Sequence, residues 1–260
     1  MVQNLYPLFE RNRILKKEML WSLRDYSFSQ IQLEYQRYSD GIIGGCDLEV
    51  RENEIIVKKG IVKHDGFIYL LTGETAVPYT PTEVTAALKL RLWVDRNSAD
   101  YISYQAEFVL NDGLERNDDE IELCRFKLKA GSRLRKEYTD FYDIQTEFDT
   151  VNLVNATWAG IDRNTLSPVI TDYFSRRLIQ GQTKEPQDLA FAYLCLNQTK
   201  AVSREVIESY IGTRMGRGKA ELSDNEELFS CMERILRDVY GQRDDRADMD
   251  IRRRRQIIVD

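Results

Sequence analysis

Histidine is nearly absent from this chain: among 260 residues only His64 is one. Without a second histidine, His-rich metal sites and a complete Cys/His or Ser/His/Asp catalytic system are excluded. His64 stands in Lys63-His64-Asp65-Gly66, where a solvated turn residue is expected. The four cysteines, Cys46, Cys124, Cys195 and Cys231, lie far apart and form no CxxC pair, so no zinc site is built on local spacing. Reduced structural thiols are expected, and no cofactor or metal is implied. No run of about 18 apolar residues occurs, so no membrane-spanning helix is expected. The opening MVQNLYPLFERNRILKK lacks a continuous apolar core and a small-residue cleavage site, and does not read as a secretory signal. Basic surplus is missing too: 37 Lys and Arg face 43 Asp and Glu, a net charge of −6 that argues against a general nucleic-acid binder.

What the chain does hold is organised around Gly41 to Leu71. Short β-type runs, Ile42-Ile43, Leu48 to Val50, Ile55 to Val57, Ile61-Val62 and Phe67 to Leu71, alternate with Gly44-Gly45, Glu52-Asn53, Lys59-Gly60 and Asp65-Gly66. β-Branched and aromatic residues between Gly, Asn and Asp turn signals predict an antiparallel meander. Asp65-Gly66 is the strongest hairpin signal, because both residues tolerate the positive φ of a tight turn.

Ahead of it, residues 5 to 26 read as a helix, with Leu8, Leu15, Met19, Leu23 and Tyr26 on one face. Leu20 and Trp21 widen the apolar surface, and Arg11, Arg13, Lys16, Lys17 and Arg24 make this end basic. Such a helix packs either on its own domain or on a neighbouring subunit. Residues 28 to 150 read mostly as strand, with Phe28, Gln30, Ile31 and Leu33 leading in. Leu88, Leu90, Leu92 and Val94 alternate with Lys89, Arg91 and Trp93 as in a half-buried strand. Tyr101 to Tyr104 and Ala106 to Leu110 are its candidate partners. Asp118, Asp119 and Glu120 read as a charged turn, since the spacing of an EF-hand is absent. From 133 to 162 aromatics (Tyr138, Phe141, Tyr142, Phe148, Trp158) mingle with Asp140, Asp143, Glu147 and Asp149, which favours contacts across a linker between two domains.

From 165 to 241 the periodicity is helical. Ser167-Pro168, Glu185-Pro186, Ser203 and the capping-box form Ser223-Asp224-Asn225-Glu226 open four helices. Gly181 and Gly241 are expected to stop the first and the last. The basic loop Arg214-Met215-Gly216-Arg217-Gly218-Lys219 lacks the spacing of a Walker A loop. The tail from 244 carries Arg252, Arg253, Arg254 and Arg255, then Ile257, Ile258 and Val259, a run able to extend a neighbour's sheet edge.

The prediction is therefore an α+β chain: an N-terminal docking helix (1–27), an antiparallel β domain (28–150), a linker (151–164), a helical domain (165–241) and a charged tail (242–260). The pattern Gly41-Ile42-Ile43-Gly44-Gly45-Cys46, Ile55 to Lys63, and Asp65-Gly66-Phe67-Ile68-Tyr69-Leu70-Leu71 resembles the N-terminal β module of phage baseplate and tail-fibre attachment proteins. The resemblance spans about thirty residues and brings no catalytic residues. It implies a component of a contractile phage tail or of a phage-tail-like (R-type) bacteriocin. Such a protein is made in the bacterial cytoplasm and assembled in several copies, or as a homo-oligomer, with other baseplate or tail-fibre subunits. No repetitive shaft follows residue 150, which suits an adaptor better than a receptor-binding fibre. Partner docking is expected at Leu8, Leu15, Met19, Trp21 and Leu23 and at Arg252 to Arg255, Ile257 and Ile258. Two other readings stand beside it. One is a nucleic-acid binder using the helical domain, the 214–219 loop and the four arginines. The other is a carbohydrate-active enzyme using two of Asp140, Asp143, Glu147 and Asp149 across a cleft.

Overall fold

A computed structural model of the chain describes residues 7–9, 11, 14–81, 83–115, 117–216 and 222–255, with side chains up to Gly241 in the last helix. It is an α+β structure with three antiparallel sheets and helices at both ends. The first helix, α1, runs Lys17–Glu34, later than expected. Phe28, Ile31 and Leu33, read above as a lead-in to strand, are its last turns. No Gly or Pro stands between 17 and 34 to end the helix, and Gln30, Gln32, Leu33 and Glu34 are good helix formers that carry it past Phe28 and Ile31.

The expected meander is present in altered form. Strands β1 (Gly41–Gly45) and β2 (Leu48–Arg51) are one arm of a long hairpin, and β3 (Glu54–Val57) and β4 (Gly60–His64) are the other. Gly45 pairs with Gly60, Cys46 N–H donates to Lys59 O at 2.9 Å, Lys58 N–H donates to Asp47 O at 2.8 Å, and Leu48 pairs with Val57. Pairing therefore passes from β1–β4 into β2–β3 across a bend, and Gly44-Gly45 and Lys59-Gly60 are bends, not turns. The bend requires glycine. A Cβ on Gly45 (φ +69°) would lie 2.2 Å from Lys59 O, and one on Gly60 would lie 2.3 Å from Cys46 Sγ. Beyond the bend the halves diverge. Strand β5 (Phe67–Leu71) adds to β4 through the Asp65-Gly66 turn, both residues at positive φ as expected. Strand β6 (Thr75–Pro78) adds to β3.

The third sheet has the order β8-β7-β9, from β7 (Thr85–Asp95), β8 (Ser103–Asn111) and β9 (Glu120–Lys127). Strand β7 is central, and it is buried over most of its length, not on one face alone. Even Lys89 is 1% exposed. It reaches Glu120 at 3.0 Å, and Arg91 reaches the other Glu120 oxygen at 3.0 Å. Burial opposes the Glu120 charge, but the hydrogen bonds from Lys89 and Arg91 outweigh it and lower the carboxyl to about 2.

The expected linker, 151–164, is one of the most deeply built segments. Asn152 exchanges two backbone hydrogen bonds with Arg125 of β9, at 2.8 and 2.9 Å. Thr157 N–H donates to Glu122 O of β9 at 2.8 Å, and Thr157 O accepts from Ile42 N–H of β1 at 2.9 Å. This strap joins the bent hairpin to the third sheet. Val151, Val154, Ala156 and Ala159 are buried along it.

Four helices follow: α2 (Pro168–Gln180), α3 (Pro186–Leu196), α4 (Arg204–Arg214) and α5 (Asn225–Arg255). The expected starts hold for the first three. Ser167 Oγ accepts from Val169 N–H at 3.3 Å, whereas Ser203 makes no side-chain cap bond. The last box sits one residue on: Asp224 accepts from Glu227 N–H at 2.8 Å, and Glu227 accepts from Ser223 N–H at 2.7 Å. Gly181 closes α2, but α5 runs through Gly241 to Arg255, so much of the expected tail continues the helix. The core is continuous. Phe141, fully buried in the run 133–162, stacks on Phe229 of α5 at 4.5 Å and lies 5.7 Å from Phe174 of α2.

Candidate docking surface

The charged side chains inside the body are paired among themselves. Asp143, offered above as a possible catalytic carboxylate, accepts from Arg135 at 2.5 and 2.6 Å, from Thr139 N–H at 2.8 Å and from Thr146 Oγ1 at 2.9 Å. The Arg135 guanidinium and these donors hold it well below the usual carboxylate range, against the cost of burial. Asp140 accepts from Asp143 N–H, Asp149 from Lys129 N–H, and Glu147 from Lys127. Each of these four acids is engaged in fastening a turn or strand end.

In the helical part, Asp188 is fully buried. It accepts from Tyr210 Oη at 2.9 Å, Arg214 Nε at 3.1 Å and Thr183 Oγ1 at 2.7 Å. Glu208 accepts from Arg204 Nε at 2.8 Å and Arg163 at 2.6 Å. Arg204 also donates to Asn225 Oδ1 and to the carbonyls of Leu222 and Asp224. Arg214, expected in a basic loop, is thus committed inward; residues 217–219 lie outside the described residues. Burial raises the thiols of Cys46, to about 12, and Cys195, to about 11. All four cysteines are free and buried, as structural thiols would be. His64 is half-buried, its Nδ1 3.9 Å from Asp40, instead of solvated. Among the described residues, no group of three or more His, Cys, Asp or Glu is placed to hold a metal, and no helix is long and apolar enough to cross a membrane.

The surface that departs from this pattern is α1. None of its 18 residues is buried. Leu20, Trp21, Leu23, Tyr26, Phe28 and Leu33 are all exposed, Leu33 at 70%. Leu8 and Leu15, in the segment before it, are exposed as well, and Met19 is half-exposed. Of the other expected docking residues, Arg252 to Arg255 lie on the last turns of α5 with side chains outside the described ones, and Ile257 and Ile258 lie outside the described residues.

The root of α1 is fastened. Lys63 of β4 donates to the carbonyls of Tyr35, Gln36 and Tyr38 at 3.0, 3.1 and 2.5 Å. A cation there satisfies carbonyls left open at a helix C-terminus and complements its negative dipole end. Lys200 pairs with Glu34 at 2.9 Å and lies over the rings of Tyr35 and Tyr38. Tyr35 packs with Ile43 and Ala159, with Ile31 and Tyr38 against them. Beside this root a cleft of about 520 Å³ is lined by Ser29, Gln32, Leu33, Gln36, Lys63 and Ile68. The fastening lay outside sequence reasoning, because Lys63 and Lys200 are close to α1 only in the folded chain. The exposure of Phe28 and Leu33 was hidden by their assignment to strand.

No protein-family model and no curated protein matches the chain. Among solved structures it is similar to the crystal structure of TssK, with 9% identity and a TM-score of 0.43 over 92% of this chain and 72% of that one. It is also similar to a chain of the type VI secretion system TssK-TssF-TssG baseplate subcomplex, with 9% identity and a TM-score of 0.40 over 90% and 99%. A third likeness is to a chain of the baseplate complex from the type VI secretion system, with 9% identity and a TM-score of 0.36 over 90% and 70%. No residue role is carried over from these structures.

Proposed function

We propose that this chain is a non-catalytic assembly subunit of a contractile, phage-like tail baseplate, joining the baseplate to tail fibres or to neighbouring baseplate proteins. The observation that carries the docking role is α1: six large apolar side chains are exposed on a helix rooted at its C-terminal end. Contiguous apolar surface of this kind marks interaction sites. The baseplate context is supported by the resemblance of Gly41 to Leu71. In this reading the chain is made in the bacterial cytoplasm, and the body serves as a rigid block that holds α1 out. The division into docking helix, β domain, linker, helical domain and tail stands as part of the proposal. The ends of the expected docking helix move to those of α1.

The test is co-purification of the full-length chain with tail-particle components. The wild type is expected to be retained, and Trp21→Asp/Leu23→Asp to be lost from particles while remaining folded. Retention of that variant at wild-type levels overturns the docking role of α1. Turnover of a small substrate by the purified chain overturns the non-catalytic reading.

A further inference from the structure

On α1, Met19, Leu23, Tyr26, Gln30 and Leu33 follow one another at steps of four, three, four and three. Alternating three- and four-residue steps keep side chains on one seam of a left-handed coiled coil, here as d, a, d, a, d. At about 100° per residue, Tyr26 and Leu33 lie about 180° and 160° around the helix from Tyr35, which is rooted in the body. The seam therefore lies on the side of the helix away from Tyr35, and Leu23, Tyr26 and Leu33 on it are exposed, Leu33 at the rim of the cleft beside the root. The helix is about 27 Å long at its ordinary rise, room for these five layers.

Resting on the docking reading above, we propose that the occupant of this seam is α1 of another copy of the same chain, in a parallel coiled coil. Self-complementarity selects this occupant. Gln30 is the polar member of an otherwise apolar seam. Its carboxamide both donates and accepts, so in a symmetric, in-register pair each Gln30 satisfies the other. An apolar partner residue would leave it buried without a partner. One polar a-position of this kind also fixes register. The flanking positions carry Ser22, Ser27 and Ser29 with Leu20. Two copies thus bring no like charges together, and a charged foreign helix finds no complement. Glu34, the one acid on a flanking position, is held by Lys200. The charges of α1 that remain, Lys17, Glu18, Arg24 and Asp25, lie off the seam. Helices of this length are marginal alone in water, but rooting at Lys63 and Tyr35 orders the last turn beforehand. Parallel packing gathers the bodies at one end of the seam.

The experiment is the light-scattering mass of the full-length chain, wild type against Leu23→Asp/Tyr26→Asp. The wild type is expected at a whole-number multiple of 30.5 kDa, at least twofold. The variant is expected at the single-chain mass, still folded by its circular dichroism and its cooperative melting. A wild type that is monomeric up to its solubility limit overturns the proposal, and so does a variant that keeps the multiple. Mild oxidation supplies a second measurement that needs no disrupted seam. Leu23→Cys is expected to cross-link to itself, and Asp25→Cys, on the other side of the helix, is not; equal cross-linking overturns the proposal. The native cysteines, all buried, add no background. If the chain is monomeric yet still joins tail components, self-association fails and the docking reading stands. If it does neither, both fall.

Discussion

The body and α1 place the same kinds of residue in opposite ways. In the body, Lys89, Glu120, Asp188, Arg204 and Glu208 are buried and paired, and one continuous apolar core lies inside, although single large apolar side chains such as Leu70, Tyr101 and Tyr193 are exposed on its surface. On α1 the apolar side chains are outside, and the charges sit beside them in water. Buried charges with a full set of partners make a body that tolerates little rearrangement, since removing one partner strands the other. Exposed apolar side chains contribute little to an isolated chain and act only when a partner removes their surface from water. The contrast separates residues that hold the block together from residues that present it.

The sharpest way to test this contrast is to strand a buried charge. Arg204→Ala leaves Glu208 with Arg163 alone and opens the carbonyls of Leu222 and Asp224. A loss of about 3–5 kcal/mol is expected in urea unfolding. Phe141→Ala removes the ring stacked on Phe229, with an expected loss of a similar size, about 3–5 kcal/mol. Both variants that still fold should keep α1 and its self-association. A smaller loss, about 1–3 kcal/mol, is expected for Gly60→Ala, because its methyl meets Cys46 at the bend. That loss should vanish from any variant in which the two hairpin halves are already separated.

Acid probes the same pairs more gently. The Glu120 carboxyl is lowered in the folded state to about 2 from an ordinary 4.5, so the unfolded chain takes up protons first as pH falls. Its contribution is complete above the ordinary carboxylate range and is lost as pH falls from about 5 towards 2. Asp143, also lowered, acts in the same direction. Unfolding midpoints measured across that range should fall, and Glu120→Gln should flatten the slope. The smallest expected effect is on α1: Leu23→Ala should change the stability of the isolated chain by less than about 0.5 kcal/mol. A larger loss, measured under conditions where the chain is monomeric, would break the comparison, since α1 would then be part of the body.

Much of the body was legible residue by residue. Pro168, Pro186 and the Asp65-Gly66 turn act through their own backbone preferences, so their places were readable locally. Gly44-Gly45 and Lys59-Gly60 carried the same kind of signal but serve as a bend, because pairing continues past them between residues far apart in the chain. Phe28 and Leu33 misled for a related reason. Strand propensity is weak beside an unbroken helical run, and their exposure depends on where the body ends. Leu8, Leu15, Met19, Trp21 and Leu23 were visible as apolar residues with helical spacing. That they face water was not, since periodicity gives a face without saying what covers it.

Local chemistry, then, set which segments are helix and which are strand. It also left the chain with one histidine, no paired cysteines and an apolar stripe near its start. Tertiary structure alone threaded 151–164 between two sheets, placed Lys63 on carbonyls at the end of a helix some 25 residues earlier, turned Asp143 from a candidate reactive group into an anchored one, and buried Asp188 and Glu208 among their partners. The physical reason is that a turn or a helix start is decided by a few adjacent dihedral angles. A carboxylate's charge state and a side chain's exposure are decided by whichever distant groups the fold brings within about 3 Å.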